Sequence, residues 1–176
     1  MLENFCTSTY SLSVVNPLVA LLKDILLYEE FLSDEVATHR LGTRLAALLK
    51  PGLVIFLQGD LGAGKTTLAR ALIRALGYEG RVKSPTYALM ELYKVSNLCL
   101  YHFDFYRFND PLEWIDAGFR ECFNAENVCL IEWPEKAEGL LPPADLTINL
   151  SHAEPGRKVT IQASTEAGRL CLLQLT

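Results

Sequence analysis

Clusters of basic residues are missing from this sequence, whose 176 residues carry a formal net charge of −5. Proteins that bind nucleic acid unaided usually display such clusters, so that class of function is not favoured. The five cysteines are odd in number and contain no C-x-x-C pair. This spacing argues against a zinc site or a disulfide framework and favours a reducing compartment, so we expect a cytoplasmic protein.

A long apolar run and a basic N-terminal region are missing as well. Residues 16–27 are rich in apolar side chains, but Lys23 and Asp24 interrupt them, and the stretch is too short and too charged for a membrane span. We therefore expect no membrane association and no secretory signal. We predict that residues 1–27 form an N-terminal extension, either an amphipathic helix or a flexible segment, ahead of a single domain over 28–176.

The glycines, by contrast, include a phosphate-binding pattern. The stretch from Gly59 to Thr67 reads GDLGAGKTT and matches G-x-x-x-x-G-K-[ST]. An apolar run over 53–58 precedes it, and leucines at helical spacing follow it over 68–76. A strand, a glycine-rich turn and a helix N-terminus together form an anion site, so the pattern predicts nucleoside triphosphate binding. Lys65 would reach the β- and γ-phosphates and the Thr66 hydroxyl would hold Mg²⁺; the binding residues are Leu61, Gly62, Ala63, Gly64, Lys65, Thr66 and Thr67.

Strand and helix patterns alternate through the middle of the chain. This predicts an α/β fold with a mostly parallel central sheet flanked by helices. A helix capped by Ser33 should end at Pro51-Gly52, and a second helix should run from Asp110 to about Phe123. Predicted strands cover 53–58, 88–92, 98–103 and 128–131, a C-terminal β-hairpin covers 146–150 and 158–163, and a last strand covers 169–175.

Two of the apolar strands end in an acid, Asp104 and Glu132. Because a phosphate-loop enzyme needs an acid at the end of a neighbouring strand, these two are the candidates for Mg²⁺ binding and for orienting water. We favour Glu132 on the metal and Asp104 in its water shell, and the exchanged roles remain open. Thr86 stands where a nucleotide switch would carry a hydroxyl, or it is an ordinary turn residue. The three histidines have no partner at metal or triad spacing, so we assign them no chemistry.

Four motifs in order carry a family resemblance. After the phosphate loop come VKSPTY (82–87), HFDFYR (102–107) and LIEWPE (130–135). With the loop, they resemble the TsaE family, the P-loop ATPases of bacterial tRNA threonylcarbamoyladenosine biosynthesis, from about Phe31 to the C-terminus.

The resemblance implies an ATPase that binds ATP and Mg²⁺ and works with the TsaB and TsaD proteins, which would hold the tRNA. Its hydrolysis would support or reset that assembly and would be slow without partners. Residue by residue, the resemblance implies Thr66 and Glu132 at the Mg²⁺ and Asp104 as an essential acid. It also implies that Trp133, Asp34 and Arg157 lie near the nucleotide.

Three other functions compete with this interpretation. A small-molecule kinase would carry an arginine-bearing lid, and the sequence has no arginine-rich insertion. A guanine-specific GTPase would carry an Asn-Lys-x-Asp stretch, which is absent. A non-catalytic nucleotide-gated module would tolerate loss of the acids, which are both present. The kinase is the main alternative.

Overall fold

The computed structural model describes residues 26–95 and 97–175. Most of the extension predicted over residues 1–27, including Cys6, lies outside the described residues. Its last two residues, Leu26 and Leu27, begin a strand, so the helix prediction is wrong for them.

A seven-stranded mixed sheet forms the centre of the described chain, in the order β1-β7-β6-β2-β5-β4-β3. The four strands β6, β2, β5 and β4 run parallel to one another, while β3, β7 and β1 pair antiparallel with their neighbours. The sequence analysis predicted a mostly parallel sheet, but the sheet is parallel only at its centre. The short turns between β3 and β4 and between β6 and β7 can join only antiparallel strands, and β1 adds to β7 in the antiparallel direction without such a turn. The strands are β1 (Leu26–Leu32), β2 (Val54–Gln58), β3 (Met90–Val95), β4 (Leu98–Asp104), β5 (Asn127–Glu132), β6 (Leu146–Ala153) and β7 (Gly156–Ala163).

Four α-helices accompany the described strands: α1 (Glu35–Ala46), α2 (Lys65–Ala75), α3 (Glu113–Asp116) and α4 (Glu166–Leu172). Asp34 caps α1 in place of the predicted Ser33, because its Oδ1 accepts a hydrogen bond of 2.7 Å from the Ala37 amide. Helix α1 lies against α2, and Gly42 permits the close approach: a Cβ at this position would come within 2.6 Å of the Ala71 Cβ.

The helix predicted from Asp110 to Phe123 is interrupted. Helix α3 covers one turn, Gly118 takes a left-handed conformation with φ 69°, and a 3₁₀ helix spans Phe119–Cys122. A residue with positive φ cannot continue an α-helix, so the periodic apolar pattern overstated the length of this element.

The predicted strands at 88–92 and 169–175 also differ from the structure. Leu89 has φ 65°, which delays β3 to Met90. The C-terminal segment is helix α4 because the Thr165 hydroxyl accepts from the Gly168 amide at 3.1 Å and caps it.

Two hydrophobic clusters cover the two faces of the sheet. One gathers side chains of α1, α2 and α4 around Leu100 and Leu130, and the other gathers aromatic side chains around Phe103 and Ile131. Along β4 and β5, successive buried residues point to opposite faces and so belong alternately to one cluster and the other, as the two-residue period of a strand requires. In the ranges 26–95 and 97–175, no helix is long and apolar enough to cross a membrane.

Candidate functional site

A cleft of about 350 Å³ opens where β2, β4 and β5 end and α2 begins. The carboxyl ends of parallel strands are the usual location of ligand sites in sheets of this kind. The cleft collects the central motifs of the sequence into one place. Its lining consists of Leu61, Gly62, Gly64, Lys65, Thr66, Thr67, Ser84, Thr86, Asp104, Tyr106, Arg107, Glu132 and Trp133.

The phosphate loop reaches α2 through two glycines with positive φ. Gly62 has φ 81° and Gly64 has φ 103°, a region that favours glycine. Gly64 precedes the first helical residue, Lys65, and no side chain caps the helix there. The first amides of α2 are thus left for a ligand, and they add to the positive end of the helix dipole.

Lys65 is only 4% exposed and folds back on its own loop. Its Nζ donates to the Gly59 carbonyl at 2.5 Å and to the Asp60 carbonyl at 2.9 Å, and it lies 3.8 Å from the centroid of the Trp133 ring. Burial lowers the pKa of Lys65, and the nearby carboxylates of Glu132, Glu135, Asp104 and Asp60 oppose that shift. The ammonium group is held between backbone oxygens and an aromatic face, beside the predicted phosphate position.

Thr66 and Glu132 are in direct contact. The Thr66 hydroxyl lies 2.9 Å from Glu132 Oε1 and 3.0 Å from Oε2, and the glutamate is buried. His102 Nε2 is also 2.9 Å from Oε1. The two residues predicted to bind Mg²⁺ therefore meet across the cleft, with a histidine behind the acid.

Asp104 stands beside Glu132 because the parallel pairing of β4 and β5 places them opposite each other. The Ser84 hydroxyl donates to Asp104 Oδ2, and the Tyr106 amide donates to Oδ1 at 3.0 Å. Burial raises the pKa of Asp104 and nearby Glu132 adds to the rise, while the two hydrogen bonds and His102 oppose it. Both carboxylate oxygens are thereby oriented by the protein itself.

Thr86 lines the cleft with an unused hydroxyl. Its amide donates to Ser84 Oγ at 3.2 Å, whereas its buried Oγ1 has no hydrogen-bond partner among the described residues. Because a buried hydroxyl without a partner is costly, this atom fits a ligand that would supply one.

The remaining three predicted residues, Trp133, Arg157 and Asp34, lie in three different places. The Trp133 ring lies 5.0 Å from the Tyr106 ring and contacts Lys65, so it forms one wall of the cleft. Arg157 reaches the back of the phosphate loop, where its Nη1 donates to the Ala63 carbonyl at 3.3 Å. Asp34 is not part of the cleft lining, and its carboxylate caps α1 instead.

His102 and Ser84 contact the two acids, yet the sequence analysis assigned no role to either. The signal for His102 was its position two residues before Asp104, since alternate residues of a strand share a face. Ser84 comes from a loop distant in sequence, and no pattern linked it to Asp104.

The donor atoms of the cleft suit ATP and Mg²⁺. A hydroxyl and a carboxylate in contact supply hard oxygen ligands, which Mg²⁺ prefers, and it commonly takes one or two carboxylates together with substrate phosphates. Within the described ranges, no group of three or more His, Cys, Asp and Glu side chains could enclose a metal ion. A cation at this site would therefore complete its coordination with phosphate oxygens and water.

Comparisons with known proteins find a family model, curated relatives and a solved structure that are similar to this chain. A family model described as "Threonylcarbamoyl adenosine biosynthesis protein TsaE" matches residues 32–159. The tRNA threonylcarbamoyladenosine biosynthesis protein TsaE of Haemophilus influenzae is 41% identical over 145 residues, which cover 80% of this chain and 92% of the relative. The protein of that name from Bacillus subtilis is 40% identical over 127 residues, covering 72% of this chain and 79% of its own. The crystal structure of YdiB from Bacillus subtilis superposes with a TM-score of 0.71 at 30% identity, covering 86% of this chain and 93% of that one.

Proposed function

Because this chain belongs to the TsaE family, we propose that it is a P-loop ATPase required for the threonylcarbamoylation of adenosine beside the anticodon of tRNAs. The family model matches more than two thirds of the chain, including all four motifs that line the cleft. The proposal concerns what the cleft binds, what it does with that ligand and which proteins it serves.

The contact between Thr66 and Glu132 is the observation that carries the proposal. In phosphate-loop ATPases, the loop hydroxyl and an acid on a neighbouring strand hold the Mg²⁺ that accompanies ATP. Here the Thr66 hydroxyl and Glu132 Oε1 already lie 2.9 Å apart at the N-terminus of α2. When bound, Mg²⁺ would neutralise charge on the phosphates during transfer of the terminal phosphoryl group to water.

The contacts of the two acids favour one division of their roles. Glu132 touches the phosphate-loop hydroxyl directly, whereas Asp104 is held by Ser84 and the Tyr106 amide. We therefore assign Glu132 to Mg²⁺ and Asp104 to its water shell, where an oriented carboxylate can position the attacking water. Lys65 would exchange its two carbonyl contacts for the β- and γ-phosphates, and the free Thr86 hydroxyl would meet the terminal phosphate or its metal.

The partners would be the TsaB and TsaD proteins, which hold the tRNA. The acidic net charge of −5 supports this division, because a protein of that charge gains little from the phosphate backbone of RNA on its own. ATP hydrolysis would then support or reset the assembly, while the base itself is modified by the partners.

Steady-state ATP hydrolysis with Mg²⁺, measured with and without the TsaB–TsaD pair, tests the proposal. We expect slow turnover by the chain alone and strong stimulation by the pair. In both conditions Glu132→Ala should lower kcat by about 100-fold or more, because Mg²⁺ would no longer be placed to stabilise the charge of the transition state. A turnover rate that is unchanged by the TsaB–TsaD pair and depends on a small-molecule phosphate acceptor would instead establish a kinase.

The matched control is Glu126→Ala. It removes an exposed carboxylate beside the opposite end of the same strand, away from the cleft. We expect this variant to retain the stimulated rate. Equal loss in both variants would mean that Glu132 acts through overall charge or stability.

A further inference from the structure

His102 is fully buried in β4, directly behind Glu132. Its exposed fraction is 0%, and its Nε2 lies 2.9 Å from Glu132 Oε1. A carboxylate oxygen can only accept, so Nε2 donates this hydrogen bond. Its Nδ1 has no hydrogen-bond partner within the described part of the chain. The one hydrogen bond of the imidazole therefore goes to the proposed metal ligand.

The sheet fixes the direction of this contact. The β4–β5 pairing places His102 opposite Leu130 and Asp104 opposite Glu132, so all four side chains share one face. Leu100 and Leu130 belong to the buried cluster on that face. His102 is thus set in a close-packed interior, and close packing limits the freedom of its ring.

Glu132 has a second donor, the Thr66 hydroxyl, on its cleft side. If Thr66 and Glu132 bind Mg²⁺ as the proposed function requires, that hydroxyl oxygen turns to the ion. Of the two hydrogen bonds that Glu132 accepts from Thr66 and His102, only the one from His102 then remains.

We infer that His102 is a positioning residue that orients the Glu132 carboxylate toward Mg²⁺. This inference rests on the proposed function. Partners that hydrogen-bond to a metal ligand commonly change metal affinity by about 10- to 100-fold when they are removed. The effect should therefore be visible in binding, separately from turnover.

Isothermal titration of ATP in the presence of Mg²⁺ and in the presence of EDTA measures the affinity gained from the metal. His102→Asn should lower that gain about tenfold, because its amide reaches only the position of Nδ1. His102→Gln should retain most of it, because its amide nitrogen reaches about as far as Nε2. Affinity in EDTA should be the same in both variants, since Lys65 and the phosphate loop are unchanged.

Phe103→Leu is the matched control for damage to the strand. Phe103 is the next residue along β4 and is equally buried, but it belongs to the cluster on the opposite face. We expect this variant to keep the full affinity gain from Mg²⁺. Loss of the gain in Phe103→Leu, retention of it in His102→Asn, or equal loss in the Gln and Asn variants would overturn the inference.

The wild-type titration separates the two proposals. If wild-type protein gains no ATP affinity from Mg²⁺, the proposed function fails and this inference fails with it. If wild type shows the gain and His102→Asn shows it equally, only the inference fails.

A measurement on wild-type protein does not depend on the folding of any variant. The chain has three histidines, so ¹⁵N-histidine labelling gives few signals. We expect the His102 Nε2 resonance to move when ADP is added with Mg²⁺ and to stay in place when ADP is added with EDTA. A His102 Nε2 chemical shift that is the same with Mg²⁺ and with EDTA would contradict the inference.

Discussion

Asp104 combines two features that act in opposite directions on its protonation. Two donors, the Ser84 hydroxyl and the Tyr106 amide, favour the charged carboxylate, but burial away from water dominates and raises its pKa. Folding therefore makes this acid bind its proton more tightly than it does in the unfolded chain. A buried acid with a raised pKa is typical of a functional position.

The stability of the protein should reflect this shift. Between the ordinary value of 3.8 and the raised pKa of Asp104, the folded state binds more protons than the unfolded state. The contribution of Asp104 to the free energy of unfolding is therefore lost as pH rises through that window. Relative to wild type, Asp104→Asn should gain stability across the same window and then level off, as measured by urea denaturation at a series of pH values.

Ser84→Ala provides the control for this prediction. It removes a hydrogen bond that favours the charged form, so the window should extend to higher pH. A stability difference between wild type and Asp104→Asn that is independent of pH would contradict the prediction.

Residues of the site were predictable where the signal is local in sequence. The phosphate loop, Asp104 and Glu132 are each read from one continuous motif, and the cleft contains most of them. Ser84 and His102 contact acids that lie 20 and 30 residues away from them in sequence. The two-residue period of β4 indicates the face on which His102 lies but not its partner on β5, and no short pattern encodes the loop path that brings Ser84 to Asp104.

At the scale of elements, the segment from Asp110 to Cys122 shows where periodicity misleads. Glu113 accepts from the amides of Asn109 and Asp110, which starts a helical turn as the sequence suggested. Gly118 then reverses the sign of φ and ends it. The change to left-handed geometry turns Phe119 into the aromatic cluster and leaves Leu112 and Ile115 exposed.

Gly118→Ala should destabilise the protein by about 1 kcal/mol, because a left-handed conformation disfavours a residue with Cβ by roughly that amount. Nothing lies within 4 Å of a Cβ built at this position, so the cost comes from the backbone alone. Gly118→Asn should cost less, since asparagine tolerates this conformation better. Urea denaturation of the three proteins measures the order, and an alanine variant as stable as wild type would mean that the break does not depend on glycine.

The elements predicted correctly are those with a strong internal signal. Strands β2, β4 and β5 are apolar runs, α2 has leucines at helical spacing, and the hairpin of β6 and β7 alternates around its turn. Strand β1 and helix α4 were missed because each depends on its neighbours. Strand β1 pairs with β7 and alternates in burial, and α4 is defined mainly by the Thr165 cap.

The whole molecule is joined through β5, which contributes to both hydrophobic clusters. Leu130 is 1% exposed in one cluster and Ile131 is 0% exposed in the other. Because adjacent residues of one strand anchor both sides, neither cluster can come apart without disturbing the same backbone. We therefore expect the described domain to unfold as one cooperative unit.

Leu130→Ala and Ile131→Ala should each destabilise the protein by about 3 kcal/mol, the usual cost of a cavity left by a large apolar side chain. In both variants, circular dichroism and tryptophan fluorescence should report the same unfolding midpoint. Trp114 belongs to the cluster around Phe103 and Ile131, and Trp133 packs against the same cluster, so fluorescence reports on that side of the sheet. Two separated midpoints in either variant would show that the faces unfold independently.

The contact of Arg157 with the phosphate loop determines when the cleft can form during translation. Ala63 and Arg157 are 94 residues apart, and Thr66 and Glu132 are 66 residues apart. During translation the phosphate loop emerges from the ribosome well before the acid that faces it, and the arginine behind it emerges later still. A nascent chain thus exposes the loop while its cleft is incomplete. A ligand that needs all of these groups can bind only after synthesis has passed β7.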